Sequence, residues 1–168
     1  MLSPPPHRRV FVDTSAYFAV SNRRDAFHYP ALRTMEQLIL NRQRLMTTNA
    51  VLFELHGLML ARGPRHLALE TVSGIGESAA TTVVRLRRQD EDRGWQIIRQ
   101  YTAKDFSLTD ATSFAVMERL GISVAFSLDR HFAQYGWELV PLEPGGARCH
   151  VMHRYELPRE QTSCCFAA

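Results

Sequence analysis

The stretch DFSLTDATSFAVMERLGISVAFSLDRHFAQYG, residues 105–136, sets an amphipathic helix, a glycine stop and a short apolar β-run in immediate succession. Ser107 precedes the helix as an N-cap and Asp110 falls three residues on, the spacing of a capping box. A helix that delivers the chain straight into a buried strand is half of a crossover unit, the connection that parallel strands require. One acid, Asp110, stands at the entrance of the helix and another, Asp129, at the exit of the strand. A capping role accounts for the first of them alone, and it leaves the second unexplained.

Working outward, RRVFVD predicts a short buried strand that ends at Asp13, and TSAYFAV a helix that Thr14 or Ser15 can cap. A second helix is expected from about Ala26 to Asn41, with Leu32, Met35, Leu38 and Ile39 at helical spacing. RLMTT follows as a strand. NAVLFELHGLMLARGP is apolar on nearly all sides and predicts a buried helix stopped by Gly63 and Pro64. A further helix is expected over Arg65 to Ser78, then a strand in TTVVRL, a helix in DEDRGWQIIRQY, a strand in SVAFSL and a last short strand in WELVPL. Strands alternating with helices predict an α/β class with a mostly parallel sheet covered on both faces.

The chain has 168 residues, 45% of them hydrophobic, enough for one substantial core and hence one domain. Residues 1–8 read as a flexible N-terminus, 9–142 as the folded domain, and 143–168 as a loose tail without apolar period. No apolar run approaches the length that crosses a bilayer, so no membrane association is expected. The N-terminal MLSPPPHRRV has prolines where a signal peptide needs an apolar stretch. Cys149, Cys164 and Cys165 all lie in the tail, which leaves the core without a disulfide and fits the cytoplasm. The net charge is +3, and Lys104 is the only lysine among 20 basic residues. Arginine forks suit phosphate, so this balance permits a polyanionic partner without demanding one.

The acids carry the chemistry. In an open parallel sheet, ligands bind at the carboxyl ends of strands near the point where strand order reverses. Asp13 and Asp129 close the first and fourth strands, so their carboxylates converge if those strands are neighbours. Glu54 lies inside the most apolar helix, with Ala50, Val51, Gly57 and Leu58 three and four residues away, so no helical neighbour can neutralise it. A buried carboxylate needs compensation, either from an arginine elsewhere or from a divalent cation. Mg²⁺ and Mn²⁺ take hard oxygen ligands, and Asp13, Glu54, Asp110 and Asp129 together form a donor set that repels itself until metal enters.

These pieces resemble the PIN-domain nucleases, and among them the VapC-type ribonuclease toxins of bacterial toxin–antitoxin pairs. The matching segments are FVDTSA, NAVLFEL, KDFSLTDATSFAVMERLGI and AFSLDRHFAQYGWELVPL, in the family's order and spacing, over about Arg9 to Leu142. The resemblance implies a three-layer α/β/α fold with a central mostly parallel sheet. It places the four family acids on Asp13, Glu54, Asp110 and Asp129 as catalytic and metal-binding residues. Thr14 and Ser15 match hydroxyl positions beside the first acid, and Asp105 stands as a supporting acid with Lys104 as its partner. The implied activity is Mg²⁺-dependent endoribonuclease cleavage, with Mn²⁺ a possible substitute, leaving a 5′-phosphate and a 3′-hydroxyl. The implied partners are RNA, a protein antitoxin and a second copy of the chain in a homodimer.

Other constellations are weaker. His131 can approach a phosphate but reads as a surface histidine beside a helix start. Cys149, His150 and His153 lack the further ligands of a zinc site. SGIGES follows no strand, so it is no phosphate-binding loop. Phe27, Tyr29 and Phe53 read as core or interface. A phospho-aspartate phosphatase needs a second acid where this chain has Ser15. The remaining alternative is a non-catalytic PIN-fold module for RNA binding or assembly, which loss of an acid would favour; all four are present.

Overall fold

The structure is a computed structural model and describes residues 8–142. The tail with its cysteines and His150 and His153 lies outside the described residues, as does nearly all of the N-terminal stretch.

Five strands form one parallel sheet: β1 (Arg9–Val12), β2 (Arg44–Thr48), β3 (Thr81–Val84), β4 (Val124–Phe126) and β5 (Glu138–Leu139). Their spatial order is β3-β2-β1-β4-β5. The chain therefore builds outward from β1 in one direction, then returns and builds outward in the other. The reversal falls between β1 and β4, where Phe11 pairs with Ala125 and Val12 with Phe126. The helices are α1 (Thr14–Ser21), α2 (His28–Leu40), α3 (Asn49–Arg62), α4 (Arg65–Glu77), α5 (Arg88–Gln100), α6 (Leu108–Leu120) and α7 (Arg130–Tyr135). Right-handed crossovers put α1–α4 on one face and α5–α7 on the other, which makes three layers.

Val10, Phe11 and Val12 are buried at the centre of the sheet. Each such side chain contributes about 1.5–3 kcal/mol by leaving water, so the first strand anchors the core as its apolar run suggests. The two helices expected to be amphipathic and buried exchange roles. In α6 every residue from Asp110 to Met117 is buried, because α5 packs on its outer side. In α3 only Val51, Leu52, Leu55 and Met59 are buried, while Phe53 is 71% exposed and Leu60 is exposed with it. Phe27 and Tyr29 are exposed too, so none of the three aromatics read as core or interface belongs to the core.

Helix α6 is closed by Gly121, whose φ of +62° is left-handed and turns the chain into β4. Helices α5 and α6 are joined by Arg119, whose Nε donates to Asp90 Oδ1 at 2.6 Å. They also approach closely at Gly94, where an added Cβ would lie 2.8 Å from Thr112 Cγ2 and 3.2 Å from its backbone nitrogen. The Thr112 hydroxyl is tied to the Leu108 carbonyl at 2.8 Å, which restricts its escape. Gly94→Ala is therefore expected to destabilise the protein by about 1–2 kcal/mol, overpacking outweighing the gain in helix propensity. Gly57→Ala, with nothing within 4 Å, is expected to be neutral or stabilising. Urea midpoints of the two variants check this; equal midpoints would show that the α5–α6 contact yields freely.

Candidate metal centre

The carboxyl edge of the sheet gathers the acids. Asp13 follows β1 directly, and its backbone N–H donates to Phe126 of β4 at 3.1 Å, which locks it onto the point of reversal. It is the N-cap of α1. One carboxylate oxygen, Oδ2, accepts from the Ser15 hydroxyl at 2.7 Å, the Ser15 N–H at 3.2 Å and the Ser127 hydroxyl at 3.0 Å. Ser127, just beyond β4, also accepts the Asp129 N–H at 3.0 Å, and Ser15 accepts the Leu128 N–H at 2.9 Å. Two serines thus weld the loops after β1 and β4 into one frame.

Asp129 caps α7, accepting the His131 N–H at 2.9 Å. Asp110 completes the expected capping box: its Oδ2 accepts the Ser107 N–H at 2.9 Å, and Ser107 Oγ accepts the Asp110 N–H at 3.0 Å. That same Oδ2 lies 3.2 Å from His131 Nδ1. Capping and site membership are therefore compatible at this residue. Three helix N-termini, those of α1, α6 and α7, supply three of the four acids, and their partial positive charge offsets part of the crowding.

Glu54 reaches the edge from the middle of α3. It is half-buried, not enclosed as the apolarity of its helix suggested, because the outer side of α3 faces solvent. Thr14 Oγ1 donates to Glu54 Oε2 at 2.5 Å. Burial raises its carboxyl above the ordinary range; the Thr14 and Thr109 hydroxyls oppose that shift, while the charges of Asp110 and Asp129 add to it. Burial likewise pushes Asp13 up to about 6, against the Ser15 hydrogen bonds and with a contribution from Asp110. The largest influences on both groups are burial, hydroxyl and backbone hydrogen bonds and neighbouring acids, with no arginine or lysine among them. Among the described residues, the basic side chain within 4 Å of Asp110 and Asp129 is His131, a charged partner only when protonated.

His131 is not a surface histidine. Its ring is 16% exposed, held against the edge of Phe106 at 5.4 Å, with Nδ1 between Asp110 and Asp129. Asp110, Asp129 and His131 offer ligand atoms that all lie within 4.8 Å of one another. Asp105 stays exposed, and no ion pair joins it to Lys104 among the described residues. The donor set fits a divalent cation: its oxygens are buried or half-buried, and burial raises the carboxyls of Asp13 and Glu54.

Ser127, Thr109 and His131 are additions to the residues expected from sequence. Ser127 and His131 flank Asp129 at two residues on either side, and Thr109 directly precedes Asp110, so proximity to an expected acid was the available signal.

The PIN domain profile matches residues 10–138. The 23S rRNA-specific endonuclease VapC20 of Mycobacterium tuberculosis is 34% identical over 128 residues, which cover 76% of this chain and 95% of VapC20. The crystal structure of that protein, described as a Sarcin-Ricin loop cleaving toxin, aligns with a TM-score of 0.71 at 31% identity, again over 76% of this chain and 95% of the other. With the acids converging at the point of sheet reversal and the likeness spanning nearly all of the described residues, the chain belongs to the PIN-domain family, as a homologue of its VapC-type ribonuclease toxins.

Proposed function

We propose that the protein is a metal-dependent endoribonuclease that acts as the toxin of a toxin–antitoxin pair in the cytoplasm. The observation that carries this is the convergence of Asp13, Glu54, Asp110 and Asp129 on one sheet edge, with hydroxyls as hydrogen-bond partners of Asp13 and Glu54. These four carboxylates would hold the cation, Mg²⁺ or Mn²⁺ in its place. When bound, the ion supplies Lewis acidity, lowering the pKa of a water and offsetting charge on the scissile phosphate. The chain's own part is positioning. Ser15 and Ser127 hold Oδ2 of Asp13 and Thr14 holds Oε2 of Glu54, which orients both carboxylates.

Ribosomal RNA is the first substrate to try, since the VapC20 relative is specific for 23S rRNA. A protein antitoxin would silence the nuclease by covering the acid edge. A homodimer is supported by the apolar side chains left outside: Phe53 and Leu60, seven residues apart on one face of α3, and Leu69 of α4. Retention of all four acids gives no support to a non-catalytic module.

The test is incubation of the purified protein with ribosomal RNA, with Mg²⁺ or with chelator, followed by mapping of the cleaved ends. Cleavage that requires the cation and leaves 5′-phosphates is expected. Cleavage that persists in chelator, or that leaves 2′,3′-cyclic phosphates, would remove the metal mechanism.

A further inference from the structure

We infer that His131 is a nitrogen ligand of the cation held by Asp110 and Asp129, and that it makes the site prefer a divalent first-row transition ion over Mg²⁺. The inference rests on the metal-dependent reading above and specifies the class of ion.

The geometry is the first support. His131 Nδ1 lies 3.2 Å from Asp110 Oδ2 and 3.4 Å from Asp129 Oδ1. Two donor atoms at right angles on one ion, with bonds of about 2.1–2.2 Å, are separated by about 3 Å. The imidazole nitrogen is thus already spaced from both carboxylates as a neighbouring ligand is. Preorganisation is the second support. The backbone N–H of His131 is held by Asp129 Oδ1 at 2.9 Å, and Phe106 packs on the ring at 5.4 Å between centroids. The Asp129 carboxylate therefore fixes the segment that carries the nitrogen, so the two donors move as a unit.

Chemistry then separates the ions. Mg²⁺ favours oxygen donors and gives up water reluctantly, whereas imidazole is a good ligand for first-row transition ions. Replacing one oxygen by nitrogen in an otherwise all-carboxylate set costs Mg²⁺ more than it costs Mn²⁺. A purely structural role for His131, donating Nδ1–H to the acids, would favour neither ion.

His131→Asn distinguishes the two. The shorter amide keeps a donor near the Nδ1 position and replaces the nitrogen lone pair by an oxygen. Calorimetric titration of the full-length protein with Mn²⁺ and with Mg²⁺ should show the Mn²⁺ affinity falling at least about tenfold, with Mg²⁺ affinity changed far less. Pulsed electron paramagnetic resonance of the Mn²⁺-loaded wild-type protein should show coupling to a histidine ¹⁴N, and this measurement needs no variant to fold. Absence of that coupling, an unchanged preference, or equal loss for both ions would overturn the assignment while leaving the nuclease reading intact. Failure of the wild-type protein to bind either ion would overturn both.

Discussion

Asp110→Asn is expected to lower RNA cleavage by at least about 100-fold while leaving the fold intact. Loss of groups that merely orient metal ligands costs about 10–100-fold, and a ligand itself should cost no less. Asparagine keeps the acceptor oxygen that takes the Ser107 N–H at 2.9 Å, so the capping box survives and the change removes charge alone. Ser107→Ala is the converse control. It breaks the box from the other side, costing about 1 kcal/mol of stability, and should leave most of the cleavage activity. The same loss of activity is expected for Asp13→Asn, Glu54→Gln and Asp129→Asn, each measured under saturating Mg²⁺ with circular dichroism to monitor folding. Full activity in Asp110→Asn would return this acid to a capping role and dissolve the four-acid site.

The order of elements and the positions of the acids could be read from the chain because both are local. Asp13, Asp110 and Asp129 each sit where a strand ends or a helix begins, and hydrophobic period locates those boundaries. The convergence of Asp13 and Asp129 depended on β1 and β4 being neighbours, a condition that pattern alone left open and that the β3-β2-β1-β4-β5 order satisfies. What escaped was non-local. Ser127 acts on Asp13, 114 positions away, and its own surroundings in sequence mark only the end of a strand. His131 lies on α7, whose six residues are too few to display a helical period. The half-burial of Glu54 has a similar origin. Apolarity does not imply enclosure, which depends on which helix receives another on its outer side, and that is α6 rather than α3.

Asp13→Asn is expected to stabilise the metal-free protein at pH 8 by up to about 3 kcal/mol, while at pH 4 the two proteins should be equally stable. The folded Asp13 titrates at about 6 against an ordinary 3.8, because burial outweighs its three hydrogen bonds. Between those values the folded state holds a proton that the unfolded state has released. Stability therefore falls as pH rises from about 4 to about 6 and is level above it; two units correspond to about 3 kcal/mol. Asparagine does not ionise, accepts the same three donors through its amide oxygen, and is as good an N-cap as aspartate. Groups shifted elsewhere, such as Asp90 with Arg119, contribute to both proteins and cancel in the difference. A cation reverses the comparison. At 100 times its dissociation constant it adds about 2.7 kcal/mol to the wild-type protein and much less to the variant, which has lost a ligand. Urea unfolding across pH 4–8, with chelator and then with Mn²⁺, tests both halves. A metal-free variant less stable than wild type at pH 8 would mean that the fold relies on the negative charge of Asp13, and that the carboxylate serves its serine frame rather than a cation.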